Sequence, residues 1–181
     1  YFPKGDRYGN KKYSNWPCSK KYLKLYEPYE KFAFKGETAI ILKTQILKEN
    51  PFPVFAGEKF VPENVLYRKI DKFGYCRASP EIIYNFEYLP DGYTNSGTRL
   101  LIENPLGAMM SFVVEAREAH RIIPRIKAAA EFYTWQKFVI HRRAEVELDA
   151  PVMIRILGHL LMPHYAHLVQ ESIINANGQK R

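Results

Sequence analysis

Two carboxylates in the stretch NPFPVFAGEKFVPENVLYRKIDKFGY, residues 50–75, have types and spacing that could do chemistry. Glu58 and Glu63 flank an aromatic turn, and Glu63 stands between Pro62 and a run of helical periodicity. A carboxylate at that point can take a proton from a substrate hydroxyl brought within hydrogen-bond reach. It can equally complement the positive end of the helix, an effect of about 0.3–1 kcal/mol. Spacing alone fits both readings. Five histidines, His120, His141, His159, His164 and His167, lie in the C-terminal third. His164 and His167 are three apart and share a helical face, so they could meet one ligand or be ordinary residues of a half-exposed helix end. Neither GxxxxGK[ST], GxGxxG nor GxSxG occurs, which leaves no sequence signal for a phosphate-cradling loop or a nucleophile elbow.

The element that positions Glu63 is the clearest in the chain. Proline is well placed in a first helical turn, where its missing N–H costs nothing. Leu66, Ile70 and Phe73 recur at helical spacing and Gly74 supplies a stop, so a helix is predicted over Pro62–Phe73. Upstream, Thr38–Leu42 reads as a buried strand opened by Gly36, and Thr44 as the cap of a short helix over Gln45–Glu49. Asn50-Pro51-Phe52-Pro53 ends that helix. Downstream, Tyr75–Ala78 and Ile82–Leu89 read as strands, followed by breaks at Pro90-Asp91-Gly92 and Asn95-Ser96-Gly97. From Asn104 the pattern turns helical. Asn104 and Pro105 open one helix with Met109, Phe112, Val113 and Ala116 on its apolar face, and Pro124 opens a second. Asp149 caps a third, which Pro163 kinks or ends, and His164–Asn175 makes a last one. The division expected is residues 1–103, mixed α/β, and residues 104–181, a helical extension.

Composition bounds the rest. The chain has 181 residues, 46% hydrophobic and 25% charged, within the range of a folded domain rather than a disordered or low-complexity chain. Two cysteines, Cys18 and Cys76, make no disulfide framework and point to a reducing compartment. The net charge is +8, and residues 1–26 carry Lys4, Arg7, Lys11, Lys12, Lys20, Lys21 and Lys24 against Asp6 alone. Such a segment can meet phosphates, nucleic acid or an anionic surface, or be a solvated arm.

Several motifs come in a fixed order: Gly36-Glu37-Thr38, the PFP turn, Glu58-Lys59-Phe60-Val61-Pro62-Glu63, the helix ending in Gly74-Tyr75, then Tyr88-Leu89-Pro90-Asp91-Gly92-Tyr93-Thr94 and Asn104-Pro105 with Gly107. Over residues 30–112 this order resembles the acceptor-side half of family 2 glycosyltransferases, the inverting GT-A-fold enzymes of bacterial surface-polysaccharide synthesis.

The resemblance implies a partial GT-A-type mixed α/β sheet with flanking helices, followed by a helical C-terminal tail. It implies sugar transfer from a nucleotide-sugar donor to a glycan or lipid-linked acceptor hydroxyl, with inversion. Glu63 falls where such enzymes carry their general base, with Glu58 the runner-up. Glu58, Phe60, Tyr67 and Arg68 are the implied acceptor-binding residues, and Asp91 and Thr94 shape a cleft-side turn or a plain one. Family members place a nucleotide-binding region first, closed by a DxD motif that holds Mn²⁺ or Mg²⁺ against the diphosphate. No DxD occurs here. The expectation is therefore a C-terminal portion that binds no metal through its own residues, has no nucleic-acid partner and is inactive without the donor half. The same resemblance implies a cytoplasmic protein with peripheral contact at the inner membrane face. Helices carrying Ile122, Ile126, Trp135, Phe138 and Ile140 beside Arg121, Arg125, Lys127, Lys137, Arg142 and Arg143 would make that contact or pack on other protein. The competing expectation is a non-catalytic, basic, Tyr-rich module for an anionic partner.

Overall fold

The computed structural model describes residues 1–11, 13–89, 92–138 and 146–178. It is mostly helical, with two small two-stranded antiparallel sheets. The chain divides into two compact units, Tyr1–Pro51 with Lys69–Pro90, and Phe52–Arg68 with Asp91–Arg181. The second unit draws residues from both sides of the expected boundary at residue 103.

The first unit is held by aromatic packing and short ladders. Strand β1 (Phe2–Pro3) pairs with β3 (Thr38–Ala39), and β2 (Tyr22–Leu23) pairs with β4 (Cys76–Arg77). Ser79 N–H donates to the Tyr1 carbonyl at 3.0 Å and ties the end of β4 to the start of β1. Trp16 sits edge-on to Tyr1 and Phe34, at 5.5 and 5.2 Å between ring centroids, and Tyr29 packs on Phe34 at 5.3 Å. Such pairs add about 0.5–1.5 kcal/mol each beyond their burial. The Tyr1 hydroxyl donates to the Leu25 carbonyl at 2.8 Å within this cluster. Gly36 has φ of +151°, and a Cβ there would meet Tyr13 Cβ at 2.5 Å, so the turn before β3 requires glycine. Short helices α1 (Glu27–Lys31) and α2 (Thr44–Glu49) complete the unit.

The second unit is helical. Helix α4 (Tyr93–Glu103) breaks at Gly97, whose φ of 44° and ψ of −127° are not helical. Helices α5 (Pro105–Glu118), α6 (Ile122–Phe138) and α7 (Val152–Gly178) follow. Leu106, Met109, Val113, Phe132 and Trp135 form the main core, and Ala116, Ala128, Ala129 and Ile154 a second cluster. The crossing of α6 and α7 is close because small residues face each other. A Cβ on Gly158 would lie 2.4 Å from Ala129 Cβ.

The structure corrects several expectations. Among the described residues there is no GT-A-type mixed sheet, only the two two-stranded pairs. Thr38–Leu42 forms strand over Thr38–Ala39 alone. Ile82–Leu89 forms no strand; its ladder contact is a single parallel bridge between Asn85 and Gly5. Pro163 neither ends nor divides the last helix, which runs through it to Gly178. Proline removes one backbone donor and its ring crowds the preceding turn. Burial of α7 against α6 offsets that cost, since Ile154 is 2% exposed and Gly158 admits the contact with Ala129. Among the described residues, no helix is long and apolar enough to cross a membrane.

Candidate active site around Glu58 and Glu63

Helix α3 (Asn64–Ile70) begins one residue after Glu63 and passes into a 3₁₀ turn over Asp71–Phe73 before Gly74. This is the expected helix with its first and last turns tightened. The Glu63 carbonyl accepts from the N–H groups of Leu66 and Tyr67 at 3.1 and 3.0 Å, so Glu63 stands at the helix entrance. Its side chain is exposed and makes no hydrogen bond or ion pair with a described residue.

Glu58 is differently employed. One oxygen accepts the Leu106 N–H at 2.7 Å and the other the Gly107 N–H at 2.8 Å. These are first-turn donors of α5, which have no partner within the helix. Pro105, the first residue of α5, has no N–H to satisfy. Glu58 therefore caps α5 from 48 residues away, with its negative charge at the positive helix end. Asn104 does not cap its own helix. Its Oδ1 accepts from the N–H groups of Lys59 and Phe60 at 2.7 and 3.1 Å, and its Nδ2 donates to the Leu100 carbonyl at 2.8 Å. A Cβ on Gly107 would lie 2.4 Å from the Phe60 carbonyl oxygen, so glycine is what lets the 58–61 segment lie against α5.

A second clamp holds α3. Arg68 is 5% exposed and meets Glu115 of α5 with two bonds, Nε to Oε2 at 2.8 Å and Nη2 to Oε1 at 2.6 Å. Two parallel bonds from a planar guanidinium fix orientation as well as distance. Glu131 on α6 adds charge to this region. Burial pushes its carboxyl above the usual range; Lys127, 3.8 Å away, opposes the shift and Glu115 reinforces it.

Beside Glu58 lies a groove of about 320 Å³ lined by Phe52, Val54, Phe55, Lys59 and Phe60, with Glu58 on its wall. The five residues expected at the site thus divide. Glu58 and Phe60 line this groove, while Glu63, Tyr67 and Arg68 do not. Arg68, expected as an acceptor contact, is buried in the pair with Glu115. Tyr67 is half-buried on α3. Asp91 lies outside the described residues, as do Ile140, His141, Arg142 and Arg143 of the expected basic helix face, and nothing is placed for the side chains of Thr94 and Phe138.

Glu115 and Asn104 were not foreseen as partners of this segment. Their contacts span 44 to 47 residues, and no local spacing signals them. Gly107 carried a trace, as a glycine in the second position of a helix after proline. Among the described residues no group of three His, Cys, Asp or Glu side chains could hold a metal ion.

No family model matches the chain, and neither a curated protein nor a solved structure does.

Proposed function

We propose that this chain is the acceptor-binding and base-bearing portion of an inverting family 2 glycosyltransferase, acting in bacterial surface-polysaccharide synthesis at the cytoplasmic membrane face. The observation that carries the reading is the contrast between the two carboxylates. Both Glu58 oxygens are engaged by backbone donors, whereas Glu63 is exposed and free of partners among the described residues. A base must be accessible and must not already be saturated with donors.

In this reading the groove beside Phe60 receives part of the acceptor. Glu63 accepts the proton of the acceptor hydroxyl as that oxygen bonds to the anomeric carbon. The bond from that carbon to the nucleoside diphosphate breaks, and the diphosphate leaves with the electron pair. One in-line displacement inverts the centre. Arg68 and Glu115 act behind the site by holding α3, and hence Glu63, in one orientation. The divalent metal of such enzymes belongs to a DxD motif that these 181 residues do not contain, and the described side chains offer no substitute set. The nucleotide-sugar donor is part of the same proposal, and the chain alone is expected to be inactive.

A second reading is a non-catalytic module for an anionic partner. The charge distribution favours it, since the first unit carries 14 Lys and Arg against 8 Asp and Glu. The two separate on Glu63→Gln in the enzyme that carries this chain, assayed for transfer from nucleotide-sugar donors. Loss of turnover with an unchanged melting temperature supports the transferase; unchanged turnover removes Glu63 from the role.

A further inference from the structure

Resting on the glycosyl-transfer reading, we propose that the exposed face of the first unit built by β2, β4 and the 3₁₀ turn before β4 binds an anionic glycan, a uronate-bearing chain that serves as acceptor. The register of the ladder sets Tyr22 opposite Arg77 and Leu23 opposite Cys76. Leu23 is fully buried, so Tyr22 and Arg77 point to solvent on the other face. Lys24 ties the 3₁₀ turn to this ladder: its Nζ donates to the Asp71 carbonyl oxygen and lies 4.9 Å from the Tyr75 ring centroid.

The ladder and turn thus carry Lys21, Lys24, Lys72 and Arg77 beside three exposed rings, Tyr22 at 55%, Phe73 at 57% and Tyr75 at 67%. Of the nearby acids, Asp71 is 6% exposed and turns a carboxylate oxygen inward to the Leu25 N–H at 2.6 Å, Glu27 pairs with Lys31 at 3.1 Å, and Glu81 is exposed. Lys21, Lys72 and Arg77 form no ion pair with a described residue. An excess of cations over acids around exposed apolar surface fits a partner that is itself a chain of negative charges.

The rings bear on the choice between polymers. Single-stranded nucleic acid needs ring faces on which bases stack. Here a lysine ammonium already lies over each ring, Lys21 at 5.8 Å from Tyr22, Lys24 at 4.9 Å from Tyr75 and Lys72 at 5.9 Å from Phe73. The face therefore offers ammonium and guanidinium donors, phenol hydroxyls and ring edges, which suit the carboxylates, hydroxyls and C–H surfaces of an acidic sugar chain.

The test is binding of the 181-residue chain to an oligogalacturonate, with a dextran oligosaccharide of equal length and poly(U) as comparison probes. Oligogalacturonate should bind, dextran should not, and raising NaCl should weaken binding, as screening demands. Lys21→Gln/Lys72→Gln/Arg77→Gln should weaken it about tenfold or more, tenfold being about 1.4 kcal/mol. Lys11→Gln/Lys35→Gln/Lys48→Gln removes the same charge elsewhere on the unit and should change affinity by less than about threefold. Equal losses from the two triple variants, equal binding of dextran, or no binding of oligogalacturonate would overturn the proposal. Tighter, patch-dependent binding of poly(U) would replace it with a nucleic-acid site. This binding is read on the parent chain and the two triple variants, without any change at Glu63. A failure here is thereby distinct from a failure of Glu63 as base, which is read on turnover alone.

Discussion

Removing the Glu58 carboxylate should damage the fold, although by sequence it looks as much like a catalytic group as Glu63 does. In Glu58→Ala the N–H groups of Leu106 and Gly107 lose acceptors at 2.7 and 2.8 Å. Leu106 is 2% exposed and Gly107 is buried, so water replaces those acceptors poorly. Each buried donor left without a partner costs about 1–3 kcal/mol. The negative charge at the positive end of α5 contributes about 0.3–1 kcal/mol more. Partial relaxation of the 58–61 segment returns part of this, which leaves a destabilisation of about 2–4 kcal/mol. For a chain of this size that is a fall in Tm of about 5–15 °C. Circular dichroism at 222 nm during thermal unfolding reads it, and the shift should fall on the transition that melts most of the helical signal, because α5 belongs to the helical unit. Glu58→Gln keeps one acceptor oxygen and should lose about half as much. Glu63→Ala, at an exposed position, should stay within about 0.5 kcal/mol of the parent. A Glu58→Ala protein melting within about 2 °C of the parent would refute the assignment of Glu58 as the cap of α5.

Further outcomes follow from the same geometry. Arg68→Ala leaves Glu115 without its bidentate partner, and should destabilise the helical unit by about 3–5 kcal/mol in denaturant melts. Gly158→Ala places a methyl 2.4 Å from Ala129 Cβ and should cost about 1–3 kcal/mol by pushing α7 off α6, read in the same melts. Tyr88 donates its hydroxyl to Glu37 at 2.8 Å, and this bond, with burial and the Glu37 charge, pushes its pKa up to about 12. Because the folded value lies above the unfolded value of about 10, the stability from this bond is present below pH 10 and is lost as pH rises toward 12. A spectrophotometric titration should show a late-ionising tyrosine that Tyr88→Phe removes.

The sequence made local elements legible where stereochemistry is local. Pro62 and Gly74 bracketed α3 and its 3₁₀ end because one presets φ and the other accepts positive φ, and each acts within its own residue. Asn104-Pro105 and Pro124 marked the starts of α5 and α6 for the same reason. Strands were less legible. Ile82–Leu89 has the alternation of a strand but only one bridge, since pairing depends on a partner that the segment itself does not specify. Pro163 misled in the other direction, because the packing of α7 on α6 outweighs a local penalty. At the site, the carboxylates were visible by type but not by role. What separates them is whether a backbone 48 residues away presents its donors, as α5 does to Glu58 and nothing among the described residues does to Glu63.

The central claim, that Glu63 is the base, is tested most directly by the single-turnover rate of sugar transfer in the enzyme carrying this chain, compared between the parent and Glu63→Gln. The rate should fall about 10²–10⁴-fold, the range typical for loss of a general base, while the melting temperature stays unchanged. A rate within about tenfold of the parent, in a variant that melts like the parent, would contradict the claim.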